Sequence, residues 1–385
     1  MSETDLTADG GAPIREQASR RDSGIELYRI VSMLLIVAAH YVNNSGLTAA
    51  SGPIYADPLS WRSLFLLLLG AWGKSGINCF VLITGYFMCA SRITATKFAK
   101  LLCEWMFYRI AIHIVFWATG YEPVTVSGLI QCFVPVTKIS TGFTSCFVLF
   151  FLFIPFLNIL IRNLNEKQHV LLLLLCGFLY VFLGTFHRVT MNYVSWFIVL
   201  YLIAAYIRLY PRPWFGRAGL WGWLTLAAAL LSAVSVVAAT WLGTKLGSTL
   251  SFFFVTDSNT FLALLTGVCS FLFFRNLHIP DSKLINTVAG STFGVLLIHA
   301  HSDAMRRWLW QNVLDNVGHY ADRFMPLYAI GCVLAVFAIC ICIDLLRIRA
   351  LERPFFRWWD RHWSAFSETY RSAEKRVLDK LNIQS

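Results

Sequence analysis

Apolar runs of about 20 residues recur along this sequence, from Leu27 almost to Leu346. A helix of that length, rising about 1.5 Å per residue, crosses a hydrocarbon layer of about 30 Å. Backbone polar groups find no partner in hydrocarbon, so a spanning segment must be a helix or part of a closed barrel. Runs such as LLLLLCGFLYVFLG at 171–184 lack the period-two alternation of barrel strands. The sequence therefore predicts an all-α, polytopic membrane protein.

Composition supports this class. Of 385 residues, 57% are hydrophobic and 14% are charged, whereas a soluble domain carries about 25% charged residues. The apolar runs predict about ten transmembrane helices. We place them at about 26–46, 64–88, 98–118, 144–161, 169–186, 193–209, 220–242, 250–273, 287–301 and 325–346.

Lys and Arg residues accumulate on one side of the predicted membrane. The N-terminus, the C-terminal tail and every second connection carry 23 of them, and the opposite set of connections carries seven. Cytoplasmic segments are the ones enriched in Lys and Arg. We therefore expect an even number of crossings, both termini in the cytoplasm, and a multi-pass protein of the plasma membrane, with membrane lipids as its surroundings. The net charge of +11 follows from this topology, so we expect no nucleic-acid partner.

Three regions differ in composition. Residues 1–24 are polar with almost nothing to bury, which predicts a disordered cytoplasmic leader. Residues 25–348 form the predicted transmembrane domain. Residues 349–385 include RPFFRWWDRHW and predict a basic, aromatic tail at the cytoplasmic membrane surface. The two longest outer connections, 119–143 and 303–324, are expected to form an outward-facing vestibule.

The first span carries polar residues in one stripe. Arg29 and His40 are eleven positions apart, which on a helix is three turns plus about 20°, so both face the same side about 16 Å apart. Glu26 and Asn44 share that stripe. An imidazole can take a proton from a hydroxyl and return it, and an arginine can bind phosphate. The structural alternative is a histidine bonded to a neighbouring helix and an arginine that reaches the membrane surface.

Ionisable or polar residues also occur in the second and third spans, where they indicate function or structural pairing. Lys74 and Asn78 are four positions apart in the second span. In the third span, Arg109 and His113 share a helix face. Glu104 and Arg109 could form a buried pair that is either structural or catalytic. We take Lys74, Asn78, Arg109 and His113 as candidate substrate-binding residues.

Later positions add further candidates. Asp344 is expected to pair with Arg347, or with an arginine of another helix, as a structural link. Tyr86 either bonds across helices or lines the same cavity as the first-span residues. His299 and His301 project to different sides of a helix with no third ligand at matching depth, so we expect no metal site.

Six segments, in order, carry a family resemblance. They are ELYRIVSMLLIVAAH at 26–40, with Arg29, ten intervening residues and His40, then GINCFVLITGYFM at 76–88, FVLFFLFIPFLNILI at 147–161, SWFIVLYLIAAYIRLY at 195–210, STFGVLLIHAHS at 291–302 and LERPF at 351–355. Over about residues 22–358 the chain resembles acyltransferase family 3, the bacterial integral-membrane acyltransferases that modify surface polysaccharides. The arginine-to-histidine spacing is the most specific single element.

The resemblance implies a ten-helix core that uses acyl-CoA, usually acetyl-CoA, as the cytoplasmic donor. The acceptor it implies is a hydroxyl of a cell-surface glycan or lipid-linked sugar. Arg29 would hold the coenzyme, His40 would be the general base or become transiently acylated, and His299 would line the acceptor side. One alternative is a polysaccharide or lipid-linked sugar transporter or flippase, which predicts broken helices and two rocking halves. Another is a non-catalytic component of a polysaccharide assembly complex, in which Arg29 and His40 would have no task.

Overall fold

The computed structural model describes residues 22–91, 94–134, 142–187 and 192–362, and no β-strand occurs among them. The predicted all-α class is confirmed. The helices are α1 Ser23–Asn43, α2 Pro53–Ala56, α3 Trp61–Gly70, α4 Gly73–Met88, α5 Ala95–Ala118, α6 Val126–Phe133, α7 Phe143–Asn163, α8 Glu166–Cys176, α9 Leu183–His187, α10 Tyr193–Leu209, α11 Ala218–Leu246, α12 Phe261–Arg275, α13 Lys283–Gly290, α14 Thr292–His299, α15 Asp303–Arg307 and α16 Met325–Arg347.

Within the described ranges, seven helical stretches are long and apolar enough to cross a membrane. They are Ser23–Asn43, Trp61–Met88, Thr96–Ala118, Phe143–Asn163, Glu166–His187, Ala218–Leu246 and Met325–His362. A further pair, Lys283–His299 and Asp303–Val313, is bent by 93° at its break, and α10 and α12 are shorter apolar helices. These stretches support a polytopic membrane protein, while the count of ten crossings and the location of the termini stay predictions.

Two predicted spans have different bounds in the structure. The span placed at 250–273 begins as a helix only at Phe261, and residues 251–260 form turns and bends. Polar side chains bond to the backbone there: Thr260 Oγ1 donates to the Asp257 carbonyl at 2.7 Å, and Asn259 Nδ2 donates to the Tyr180 carbonyl at 2.8 Å. Such local bonds compete with a helix. The span placed at 287–301 instead ends at His299, where the chain bends before α15.

The predicted terminal regions are described only in part. Most of the leader, 1–24, lies outside the described residues, as do residues 363–385 of the tail. Asp22 caps α1, because its side chain accepts hydrogen bonds from the amides of Gly24 and Ile25. At the other end, helical structure continues from α16 to His362.

Close packing of α1 against α4 sets the direction of the bundle. A Cβ atom at Gly73 would lie 2.1 Å from the Ala39 Cβ, and one at Gly76 would lie 2.8 Å from the Ser32 carbonyl oxygen. Only glycine permits this approach. Because the later α4 residue meets the earlier α1 residue, the two helices are antiparallel. We call the bundle end with Ser23 the Ser23 end and the opposite one the His40 end.

Contacts with α4 and α1 orient α10 and α12 in the same way. Trp196 Nε1 donates to Asn78 Oδ1 at 2.9 Å, and Arg208 Nη1 donates to the Tyr86 hydroxyl at 2.8 Å. Helix α10 therefore starts at the His40 end and finishes at the Ser23 end. The Tyr28 ring stacks on Phe274 with centroids 4.9 Å apart, so α12 also finishes at the Ser23 end.

A buried ionic cluster joins α5 to α16 at the Ser23 end. The guanidinium of Arg347 contacts three carboxylates: Asp344 at 2.8 Å, Glu352 at 2.7 Å and Glu104 at 3.1 Å. Tyr108 donates its hydroxyl to Asp344 at 2.7 Å. The predicted Asp344–Arg347 pair is thus confirmed. Because one arginine ties together carboxylates of two helices and the chain after α16, this cluster fixes the end of the bundle.

Candidate active site

A cavity of about 650 Å³ lies at the His40 end of the bundle. Its wall comes from α1, α3, α4, α5, α6, α7, α10, the turns before α12, α14, α15 and the bend between those last two helices. Three predicted site residues line it: His40, Lys74 and Arg109. Both predicted outer connections contribute to it as well, through Gln131 and through Arg306. The lining is partly polar.

His40 pairs with a second histidine at the cavity wall. His40 Nδ1 lies 2.9 Å from His299 Nε2, and His299 Nδ1 lies 2.6 Å from the Val295 carbonyl oxygen. A carbonyl oxygen only accepts, so His299 Nδ1 carries the proton that it donates to Val295. The Nε2 of neutral His299 is then an acceptor, and His40 Nδ1 must be the donor. His40 Nε2 is left with a lone pair.

The surroundings hold this pair in one orientation. His299 is fully buried, at 0% exposure, and the ring of Trp310 meets it edge-on with centroids 6.3 Å apart. His40 is half-buried and belongs to the cavity wall. A histidine whose Nδ1 donates to a fixed acceptor presents Nε2 as a base, the arrangement found in catalytic triads. The pair can therefore remove a proton from a hydroxyl in the cavity.

Lys74 lies on α4 at the same cavity. Its Nζ donates to the Tyr193 hydroxyl at 2.8 Å and to Asp257 Oδ1 at 3.4 Å. Asp257 belongs to the turns that replace the start of the predicted eighth span. The structure thus brings a predicted residue next to two residues that the sequence did not single out.

Arg109 is held by neutral oxygens. It donates to the carbonyl and side-chain oxygens of Gln131, at 3.2 and 2.9 Å, and to the carbonyl of His301 at 3.2 Å. The predicted Glu104–Arg109 pair is wrong, because Glu104 instead bonds to Arg347. Glu104 lies more than one helical turn nearer the Ser23 end, where Arg347 is within reach, while Arg109 lies at the cavity.

His113 lies behind the cavity wall. Its ring meets that of His301 with centroids 4.9 Å apart, and its Nδ1 lies 3.4 Å from Glu122. The predicted face shared with Arg109 is present, since both side chains contact His301. The described lining residues of the cavity include Arg109 and His301, but they do not include His113.

Asn78 occupies a structural position, and Asn44 is not among the described lining residues of the cavity. Asn78 is fully buried, accepts from Trp196 and donates to the Ser258 carbonyl at 2.6 Å. Its amide therefore ties α4 to α10 and to the turns before α12. Asn44 follows the end of α1, and its carbonyl accepts from Gln311 at 3.4 Å. The cavity wall includes the preceding residue, Asn43.

A second polar group occupies the Ser23 end. Arg29 lies 3.7 Å from Glu26, one helical turn away. The guanidinium groups of Arg208 and Arg275 lie over the Tyr86 ring, 4.8 and 5.2 Å from its centroid. Basic residues at this end suit an anionic ligand, but they lie apart from the cavity that holds His40. The structure therefore separates the predicted residues into two groups, one at each end of the bundle.

Several lining residues were missed by the sequence analysis. Tyr193, Gln131, Asp303 and Arg306 all line the cavity. Asp303 and Arg306 directly follow the LIHAHS segment, and that proximity to a candidate histidine was the available signal. In the described part of the chain, no three His, Cys, Asp or Glu side chains come together as metal ligands would.

The fold and this site define a polytopic membrane protein with a histidine pair at a polar cavity. The profile of a protein family described as Acyltransferase domain matches residues 22–345. This match covers most of the chain, so the chain belongs to that family, acyltransferase family 3, as the sequence motifs predicted. It is a membrane acyltransferase that transfers groups other than aminoacyl groups. No curated protein and no solved structure matches the chain.

Proposed function

We propose that this chain is an O-acyltransferase of the plasma membrane that moves an acyl group, acetyl in the first instance, from acyl-CoA to a sugar hydroxyl. The acceptor is a cell-surface glycan or a lipid-linked sugar. The observation that carries the proposal is the His40–His299 pair at the cavity, 2.9 Å apart with His40 Nε2 free to act as a base. The Ser23 end, rich in Arg, faces the cytoplasm, and ten crossings place both termini there.

The acyl thioester supplies the acyl group and a thiolate leaving group. His40 Nε2 takes the proton of the acceptor hydroxyl as its oxygen bonds to the acyl carbon. His40 Nδ1 keeps its hydrogen bond to His299, which stabilises the positive charge that develops on the His40 ring. As the carbon–sulfur bond breaks, His40 returns the proton to the departing sulfur. One histidine, His40, therefore both removes the proton from the acceptor hydroxyl and delivers it to the leaving group.

The donor approaches from the Ser23 end. Arg208 and Arg275 flank Tyr86 there, and Arg275 Nη1 is buried without a hydrogen-bond partner among the described residues. Guanidinium groups bind phosphate through paired N–H donors. These two arginines, with Arg29 on the neighbouring helix, would hold the coenzyme's phosphates. Its thiol arm would then span about 16 Å along α1 to reach His40, from the helix rise per residue.

Transport of a lipid-linked sugar is the second candidate, and one observation favours it. The stretch Lys283–His299 is bent by 93° from Asp303–Val313, and broken helices are typical of transporters. In this protein the break supplies cavity residues beside the histidine pair. Family membership and the pair both favour acyl transfer.

The test is acylation of the host's surface glycan, measured by NMR of purified polysaccharide. Cells carry wild type, His40→Gln or no copy of the gene, with membrane levels matched by immunoblot. We expect the acyl signal to disappear without the gene and with His40→Gln, because a glutamine amide cannot take the proton of the acceptor hydroxyl. The matched control is His278→Gln, an exposed histidine outside the site.

Two results would contradict the proposal. An unchanged acyl pattern in cells without the gene, together with altered polysaccharide export, would favour transport. Full acylation with His40→Gln would remove His40 from the chemistry.

A further inference from the structure

We propose that the acceptor carries an oxyanion, a carboxylate or a phosphate, near the hydroxyl that is acylated, and that Lys74, Arg109 and Arg306 bind it. This inference rests on the proposed function and names the class of its acceptor. The three cations line the same cavity as His40. At about 650 Å³, that cavity lies within the usual size of small-ligand sites, about 300–1,000 Å³.

Positive charge exceeds negative charge in the cavity wall. Among its described lining residues, Asp303 is the one carboxylate against three cations. Asp257, which bonds to Lys74, has a side chain that is 56% exposed, so water screens its charge. An excess of one sign in a concave site of low dielectric attracts the opposite charge.

Each cation also keeps N–H donors for a ligand. Arg109 has five N–H donors, and its three hydrogen bonds go to neutral oxygens of Gln131 and His301. Those bonds orient the guanidinium without neutralising it. The carboxylate that acts on Arg109, Glu122, lies 3.4 Å from His113 and is not among the described lining residues of the cavity. Lys74 uses two of three donors, on Tyr193 and Asp257.

Arg306 lies on the short helix α15, just beyond the bend. It contacts Asp303 at 3.0 Å through one nitrogen, and its side chain is 38% exposed. This contact is between residues three apart on an exposed surface, where an ion pair contributes little. The guanidinium is therefore available to a ligand oxyanion, which it binds through two parallel N–H donors.

The experiment measures binding rather than turnover, so that it can fail separately from the proposed function. The purified full chain in detergent is titrated calorimetrically with glucuronate, glucose 1-phosphate and methyl glucoside. We expect saturable binding of an anionic sugar and at least about tenfold weaker binding of the neutral one. Preference for glucuronate or for glucose 1-phosphate distinguishes a carboxylate from a phosphate.

Variants assign the binding to this cavity. Lys74→Gln and Arg306→Gln are each expected to weaken anion binding about tenfold. Arg306→Lys should restore only part of it, because an ammonium keeps the charge but cannot make two parallel contacts. Lys245→Gln removes an exposed cation of the same bundle end outside the cavity and should bind as wild type does. His40→Gln loses acyl transfer but keeps anion binding.

Three results would overturn the inference. They are no saturable binding of either anionic sugar, equal binding of methyl glucoside, and anion binding that survives both glutamine substitutions. A phosphate bound at the Ser23 end would give anion binding that survives both glutamine substitutions. Each leaves the acyl-transfer proposal standing, since that depends on the loss of glycan acylation with His40→Gln.

Discussion

Replacing His299 tests whether the histidine pair sets the tautomer of His40. In wild type, His299 Nε2 accepts from His40 Nδ1 at 2.9 Å, and His299 is itself fixed by Val295. His299→Leu removes the acceptor inside a fully buried site. His40 can then carry its proton on Nε2. With that proton in place, Nε2 has no lone pair to accept a proton from the acceptor hydroxyl. His299→Gln keeps a side-chain oxygen that can accept from Nδ1.

The size of the effect follows from the charge that develops on His40. A hydrogen bond to a charged group contributes about 1.5–3 kcal/mol, and each 1.36 kcal/mol changes a rate about tenfold. We therefore expect His299→Leu to lower kcat by about 10- to 150-fold. KM for acyl-CoA should change little, because the proposed coenzyme site lies at the opposite end of the bundle. His299→Gln should recover much of the lost kcat.

The assay is initial-rate transfer of radiolabelled acetyl from acetyl-CoA to host glycan by purified protein. His40→Gln sets the background and His278→Gln serves as the control for an unrelated histidine. Wild-type kcat in His299→Leu would refute the tautomer argument. A His299→Gln enzyme as slow as His299→Leu would also refute it, because an acceptor oxygen beside His40 Nδ1 would then not raise the rate.

Two further predictions concern the Ser23 end. Arg208→Gln and Arg275→Gln should each raise KM for acetyl-CoA about tenfold, because each loses a phosphate contact, while kcat stays nearly unchanged. Steady-state kinetics at varied acetyl-CoA concentration measure both constants. An unchanged KM in both variants would place the coenzyme elsewhere. Arg347→Met should destabilise the fold by about 3–5 kcal/mol, because Asp344 and Glu104 lose their buried cation. The loss is measured as a lower melting temperature in detergent. A melting temperature equal to that of wild type would contradict this prediction.

The apolar runs predicted the helical class because lipid leaves so few solutions for the backbone. They predicted the start of α12 less well, because residues 251–260 form turns and bends although Phe252, Phe253 and Phe254 are apolar. Hydropathy over a long window does not register side chains that bond to the backbone locally.

The polar stripe on the first span was only half informative for the site. Spacing placed Arg29 and His40 on one face of α1, yet only His40 reaches the cavity, because eleven residues separate them along the axis. Asn78 was a candidate binding residue by its place in the second span, but its amide joins helices. Tyr86 bonds across helices, the first of its two predicted roles, because its hydroxyl accepts from Arg208. The partner of His40, His299, is 259 positions away. A contact at that separation depends on how the helices pack, which no local pattern encodes.

The bend after His299 connects these observations, because a straight span could not build this site. Continuing α14 as a helix would have carried Asp303 and Arg306 along the axis of α14 and away from His40. The bend instead brings them to the cavity, but it leaves the His301 carbonyl without a helical partner. Arg109 donates to that carbonyl at 3.2 Å, which satisfies a backbone group that lipid would not. The Arg109 guanidinium therefore bonds to the carbonyl at the bend and also contributes a positive charge to the cavity. The backbone break and the proposed anion site both depend on this residue.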